Sequence, residues 1–240
     1  MAWTVTPRNT TSGSGHQASG TSLTVTISPT ATVAGDLCVV AVCSRGSGTP
    51  TVTPPTGLGF VALEAPASAG PGIGLYASNT VTAGTTSMAW KLTAATSVLD
   101  LIVLYSCWPG GSAQQLFSEG ANHENGTLTT SGSNGIVPSL STLAATIGQE
   151  LGVWAAVAEV SATAQPANPT GSGTWTSAVS ANGATSSFIA ARMSAQVGPV
   201  APADFTASGS VVTLGSGSTY AAAMAAFPPA LDQFFAFFGD

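Results

Sequence analysis

The stretch Thr21-Ser22-Leu23-Thr24-Val25-Thr26-Ile27-Ser28 alternates without exception, Leu23, Val25 and Ile27 on one side and hydroxyls on the other. A period of two with one apolar face predicts a half-buried antiparallel strand. The next run, Leu37-Cys38-Val39-Val40-Ala41-Val42-Cys43, is continuously apolar, as expected of a strand covered on both faces. Further strands are predicted at 60–63, after the turn Pro54-Pro55-Thr56-Gly57, at 72–77, at 86–92 with Met88, Trp90 and Leu92 on one face, and at 98–106. The second half repeats the texture at 151–160, 173–179, 186–193, 210–214 and 219–227. Ala221–Ala226 has helix propensity, but its place between a Gly/Ser-rich turn and Pro228-Pro229 favours a last strand. Between the strands lie Gly, Pro, Asn and Ser clusters, which are turn chemistry. The fold class predicted is all-β: an antiparallel β-sandwich, jelly-roll-like.

Gly35–Val42 can be laid against Gly148–Ala155, since in each a Gly and an acid lead into a long apolar strand. That suggests two Greek-key halves, about 21–110 and 140–229. Residues 1–20, rich in Gly and Ser, read as an N-terminal arm, 21–229 as the sandwich and 230–240 as a separate C-terminal peptide.

Of 240 residues only 6% are charged, with four Lys+Arg and ten Asp+Glu, against about 25% in an average soluble domain. The cations, Arg8, Arg45, Lys91 and Arg192, are scattered. No basic face is expected for nucleic acid or for an anionic membrane. An apolar fraction of 44% argues against a charged disordered chain. The longest apolar runs, 98–105 and 220–230, fall short of the roughly 20 residues of a spanning helix. The first residues carry no basic region followed by an apolar stretch, so cleaved export is not expected. Three cysteines, an odd number, read as reduced thiols. Cys38 and Cys43, five apart on a strand, point to opposite faces and read as small buried apolar residues.

Chemistry is sparse. The two histidines are His16, in the Gly/Ser-rich start, and His123, beside Glu124 in what reads as a polar loop, 120–126. Neighbours on an extended chain diverge, so His123 and Glu124 make no dyad alone. Neither a zinc spacing nor a calcium loop is present, and the glycines lack a phosphate-binding context. No catalytic residue, metal or cofactor is predicted, and the chain is not expected to be an enzyme. Trp108 and Trp175 lie near loops and are the candidates for a glycan-stacking platform, which would make the sandwich a host-envelope carbohydrate-binding module.

The segment Leu231-Asp232-Gln233-Phe234-Phe235-Ala236-Phe237-Phe238-Gly239-Asp240 differs in kind, holding four of the nine Phe. Burial of each aromatic is worth about 1.5–3 kcal/mol, so Leu231, Phe234, Phe235, Phe237 and Phe238 are predicted to dock onto a neighbouring subunit. Leu231, Phe234, Phe235 and Phe238 also fall at helical spacing, so helix-in-groove and added-strand modes both remain open.

One series of motifs resembles a known family. The strand at 35–42 is followed by Val52-Thr53-Pro54-Pro55-Thr56-Gly57, Leu75-Tyr76-Ala77, the turn Ala83-Gly84-Thr85, Met88-Ala89-Trp90 and Leu104-Tyr105-Ser106. It resembles β-sandwich virion proteins of tailed bacteriophages infecting actinobacteria, commonly labelled minor tail proteins. The likeness covers about 20–108 best and 148–230 more loosely. A tryptophan usual after Pro-Pro-x-Gly in that family is replaced here by Leu58-Gly59. The resemblance implies a non-enzymatic, tail-associated structural subunit, assembled in the bacterial cytoplasm and carried on the virion. It implies other virion proteins as partners and a homo-oligomer, a trimer first. Head decoration is the alternative location.

Overall fold

The computed structural model describes residues 3–30, 32–46, 50–66, 71–94, 98–109, 120–127, 150–159, 168, 174–184, 189–198 and 219–227. All regular structure among them is strand: β1 (Asn9–Gln17), β2 (Ser22–Ile27), β3 (Leu37–Arg45), β4 (Thr51–Thr53), β5 (Val61–Glu64), β6 (Gly72–Ser78), β7 (Met88–Thr93), β8 (Leu99–Trp108), β9 (Gly120–Thr127), β10 (Glu150–Glu159), β11 (Thr176–Asn182), β12 (Ile189–Gly198) and β13 (Thr219–Phe227). They form an antiparallel sandwich of three sheets, ordered β1-β8-β3-β6-β5, β11-β12-β10-β13-β9 and β2-β7-β4. The alanine-rich run 221–226 is a strand, as expected: β13 pairs with β10 and β9. The predicted strand at 210–214 lies outside the described residues.

The first sheet is central and buried on both sides, which explains the continuous apolar run of β3. Leu37, Val39, Ala41 and Cys43 face the second sheet, where Leu151, Val153, Ala155 and Val157 of β10 face them. Cys38, Val40 and Val42 face the three-stranded sheet, joining Val25, Ile27, Met88, Trp90 and Leu92. Cys38 and Cys43 thus occupy opposite faces, both buried and free. Trp90 anchors the outer core with the Phe60 and Tyr76 rings edge-on at 5.1 and 5.2 Å, an arrangement the aromatic quadrupole favours.

β1 departs from the sequence reading. Asn9–Gln17 is no arm but an edge strand, paired with β8 along its whole length. It holds no large apolar residue. It packs because Gly13 and Gly15 let it close on β2: a Cβ at Gly13 would lie 2.9 Å from Val25 Cγ1, and one at Gly15 2.9 Å from Val25 Cγ2. Residues before it are also engaged: Trp3 is in the core between the five-stranded sheets, and the Val5 carbonyl accepts from the Trp108 indole at 3.3 Å.

Pairing among the first eight strands is nested: first with eighth, second with seventh, third with sixth. The two five-stranded sheets also share one plan. Read from the first strand of each, the orders β1-β8-β3-β6-β5 and β9-β13-β10-β12-β11 match strand for strand. Register matches too. Leu37 stands opposite Trp108, and Leu151 opposite Phe227. Val39 stands opposite Ala77, and Val153 opposite Ala195. Even the irregularities coincide: β5 is bulged between Ala62 and Glu64, and β11 between Ser177 and Val179, two matched positions. The sheets cross reciprocally, β1 touching β11 as β5 touches β9, and β6 touching β13 as β12 touches β8. This correspondence sets Asp36, Leu37, Val39 and Ala41 on Glu150, Leu151, Val153 and Ala155. The alignment of 35–42 with 148–155 is therefore one residue out, a slip that exchanges the two faces of a strand.

Candidate functional site

Three polar clusters stand out among the described residues. The first lies at the end of the central sheet where β3 begins and β8 ends. Asp36, 4% exposed, receives the Arg8 guanidinium at 2.8 Å. The Cys107 thiol donates to the same carboxylate oxygen at 3.9 Å, and the Tyr105 hydroxyl lies 3.2 Å from Cys38 Sγ. Register sets Cys38 directly opposite Cys107. The Cys38 thiol is pushed up by its hydrogen bond to Cys107 and by burial. Cys107 is lowered, chiefly because it accepts that bond. Burial drives the Tyr105 hydroxyl up. Asp36 itself is placed by the bend before β3, where its N–H donates to the Val33 carbonyl at 3.2 Å.

The second cluster lies at the other end of the same sheet. Asp100, 1% exposed, interrupts the apolar run of β8. It is flanked in register by His16 on β1 and Arg45 on β3. His16 Nδ1 lies 2.7 Å from Asp100 Oδ1, and Arg45 Nη1 lies 3.7 Å from Oδ2. His16, which the sequence places in a loose segment, is thus held on a strand by a buried carboxylate. A histidine–carboxylate pair can orient an imidazole, yet here its contacts tie three adjacent strands together.

The third cluster occupies the outward face of the second sheet. Asn168 Oδ1 accepts from Arg192 Nη1 at 3.2 Å and from Ser194 Oγ at 2.8 Å, and Asn168 Nδ2 donates to the Trp175 carbonyl at 3.3 Å. Desolvation lowers the Arg192 guanidinium. Gln196 is buried beside them, and neither of its amide atoms has a hydrogen-bond partner among the described residues.

Both tryptophans named as stacking candidates are covered. Trp108 is 0% exposed, packed between the five-stranded sheets, and Trp175 is 6% exposed against Trp154, Ala156 and Ala222. A sugar platform needs an open ring face, and neither indole presents one. Nearness to a turn in the chain misled here, because Trp108 is the last residue of an inward-facing row on β8. The segment around His123 is not a loop: Gly120–Thr127 is edge strand β9, with His123 opposite Ala223. The docking residues Leu231, Phe234, Phe235, Phe237 and Phe238 lie outside the described residues. Among the described residues no group of three His, Cys, Asp or Glu is placed to hold a metal, and no helix is long and apolar enough to cross a membrane. Sequence reasoning missed the Asp36 and Asp100 clusters, although an acid inside or leading an apolar strand was the available signal. No family model, curated protein or solved structure matches the chain.

Proposed function

We propose that the chain is a structural subunit of a tailed-bacteriophage particle, a minor tail protein that docks through its Phe-rich segment 230–240. In this reading it is a rigid spacer, with virion proteins and further copies of itself as partners. The observation that carries it is the anchoring of β13. Its last residue, Phe227, is 2% exposed in the core between the two five-stranded sheets, opposite Leu151. The Phe-rich peptide therefore starts three residues from a fixed point on a stiff scaffold, which limits the entropy lost when it is ordered on a partner. The nested pairing of β1–β8 supports a jelly-roll description of the first half, with β5 moved to the edge beside β6. The matched order, register and bulges support two fused halves, at about 9–108 and 120–227.

Deleting Leu231–Asp240 tests the docking role. Truncated protein is expected to fold with unchanged thermal unfolding yet to be missing from purified particles. Incorporation at the full-length level would refute it. Immunogold labelling on intact particles separates tail from head.

A further inference from the structure

The paired thiols of β3 and β8 are not explained by packing. Under the correspondence between the two five-stranded sheets, Cys38 and Cys107 fall on Gly152 and Ala226, which stand opposite each other in the same way. A glycine and an alanine thus serve at this position in one sheet, while two sulfurs serve in the other. The pair is also aligned for a bond. The Cys107 carbonyl accepts from the Arg8 N–H at 2.8 Å, on the β1 side. It therefore points away from β3, which makes Cys38–Cys107 a non-hydrogen-bonded cross-strand pair. Such pairs bring Cα atoms to about 4.5 Å and side chains closest together, inside the roughly 4.4–6.8 Å that disulfides span. Both side chains are fully buried and lie in the same core, between the central and the three-stranded sheets.

We propose that Cys38 and Cys107 are a site of reversible oxidation, forming a cross-strand disulfide when the folded protein meets a peroxide. Cys107 is the attacking sulfur. Hydrogen bonding from Cys38, and less strongly from Tyr105 and the Asn9 N–H, favours its thiolate against the opposing effects of burial and the Asp36 carboxylate, and the balance lowers it. Its sulfur attacks one peroxide oxygen and the O–O bond breaks. The departing hydroxide takes the thiol proton and leaves as water, giving a sulfenic acid. Cys38 then attacks that sulfur, the S–O bond breaks, and the second hydroxide leaves as water with the Cys38 proton. Two thiols are oxidised and one peroxide is reduced. Both cysteines are fully buried, so the oxidant has to pass the Arg8–Asp36 pair that caps Cys107, of which Arg8 is 39% exposed. Cys43, on the opposite face with no thiol beside it, is pushed up by burial and stays reduced.

The test is thiol counting on full-length protein treated with hydrogen peroxide, then alkylated in denaturant and weighed. Of three thiols, two are expected to disappear, with a mass loss of two hydrogens, and both to return with dithiothreitol. Trypsin is expected to leave peptide 9–45 joined to peptide 92–192, and the joint to persist in Cys43→Ser. Cys38→Ser and Cys107→Ser are each expected to abolish it. Three thiols surviving, a single thiol carrying added oxygen, or a link through Cys43 would each overturn the proposal. The wild-type measurement stands even where a variant fails to fold.

Discussion

Replacing His16 with alanine is expected to destabilise the protein more than replacing its partner Asp100 with asparagine. The reason lies in unequal burial. Asp100 is 1% exposed and His16 22%. Removing His16 strands a buried carboxylate, with Arg45 Nη1 at 3.7 Å from the other oxygen as its remaining neighbour in the cluster. Breaking a fully buried pair by deleting one member costs about 3–5 kcal/mol. Partial exposure of His16 and the retained Arg45 reduce that to about 2 kcal/mol here. For a chain of this length that is a fall of about 4–8 °C in Tm. Asp100→Asn removes the buried charge and keeps an oxygen that can accept from the Nδ1–H, so its cost is expected to stay below about 1 kcal/mol. The assay is thermal unfolding at neutral pH of wild type, both single variants and the double variant. A coupling of about 1–2 kcal/mol is expected between the two sites. A His16→Ala shift under about 1 °C, or an Asp100→Asn variant less stable than His16→Ala, would refute the reasoning. It would also remove the case that β1 is bound into the sheet through its side chains.

Gly13→Val should cost about 1–3 kcal/mol by overpacking against Val25 and Ile27, read as a lower urea midpoint. Gly57→Ala, at φ 78° with open space around it, should cost only the roughly 1–2 kcal/mol of a left-handed residue. Trp108→Ala should lower stability by about 3–5 kcal/mol, and on a glycan array it should behave as wild type at temperatures where both are folded. Tyr76, buried in the outer core, has its hydroxyl pushed up to about 12 by burial. Its unfolded counterpart ionises near 10, so above that pH the unfolded state binds fewer protons than the folded one. Its contribution is full below about pH 10 and is lost as pH rises toward 12, by about 1 kcal/mol at pH 11. Tyr76→Phe should remove that part of the alkaline slope in urea titrations.

How far the fold could be read depended on whether a strand carried its own apolar signal. β2 and β7 alternate cleanly, and β3, β8 and β10 are continuous runs, so these were legible. β1, Asn9–Gln17, is polar throughout. Its place is decided by glycines whose lack of a side chain admits residues of β2, and a contact made by absence leaves no hydrophobic pattern. β9 is polar in the same way. Both occupy the same edge position beside the last strand of their sheet, so a correctly registered repeat would have exposed the pair. The buried charges were equally hidden. Asp100 looked like a break in an apolar run, and only cross-strand register reveals that His16 and Arg45 flank it.

The two matched sheets are alike in plan but not in filling. On the shared inner faces the first presents Ile73, Leu75, Ile102 and Leu104. At the matched positions the second presents Ala191, Met193, Ala221 and Ala223. Reciprocal crossing sets β13 against β6, so alanines meet Ile73 and Leu75. Dense interiors need large groups opposite small ones. Two identical sheets related by a two-fold axis must present the same patch to each other, and so cannot divide large from small between them as these do. Joining both sheets in one chain permits that division. It also means that neither inner face is self-complementary, so a further copy of the chain has no reason to compete for it. The proposed assembly would then use other surfaces, which is the role proposed for the peptide that follows Phe227.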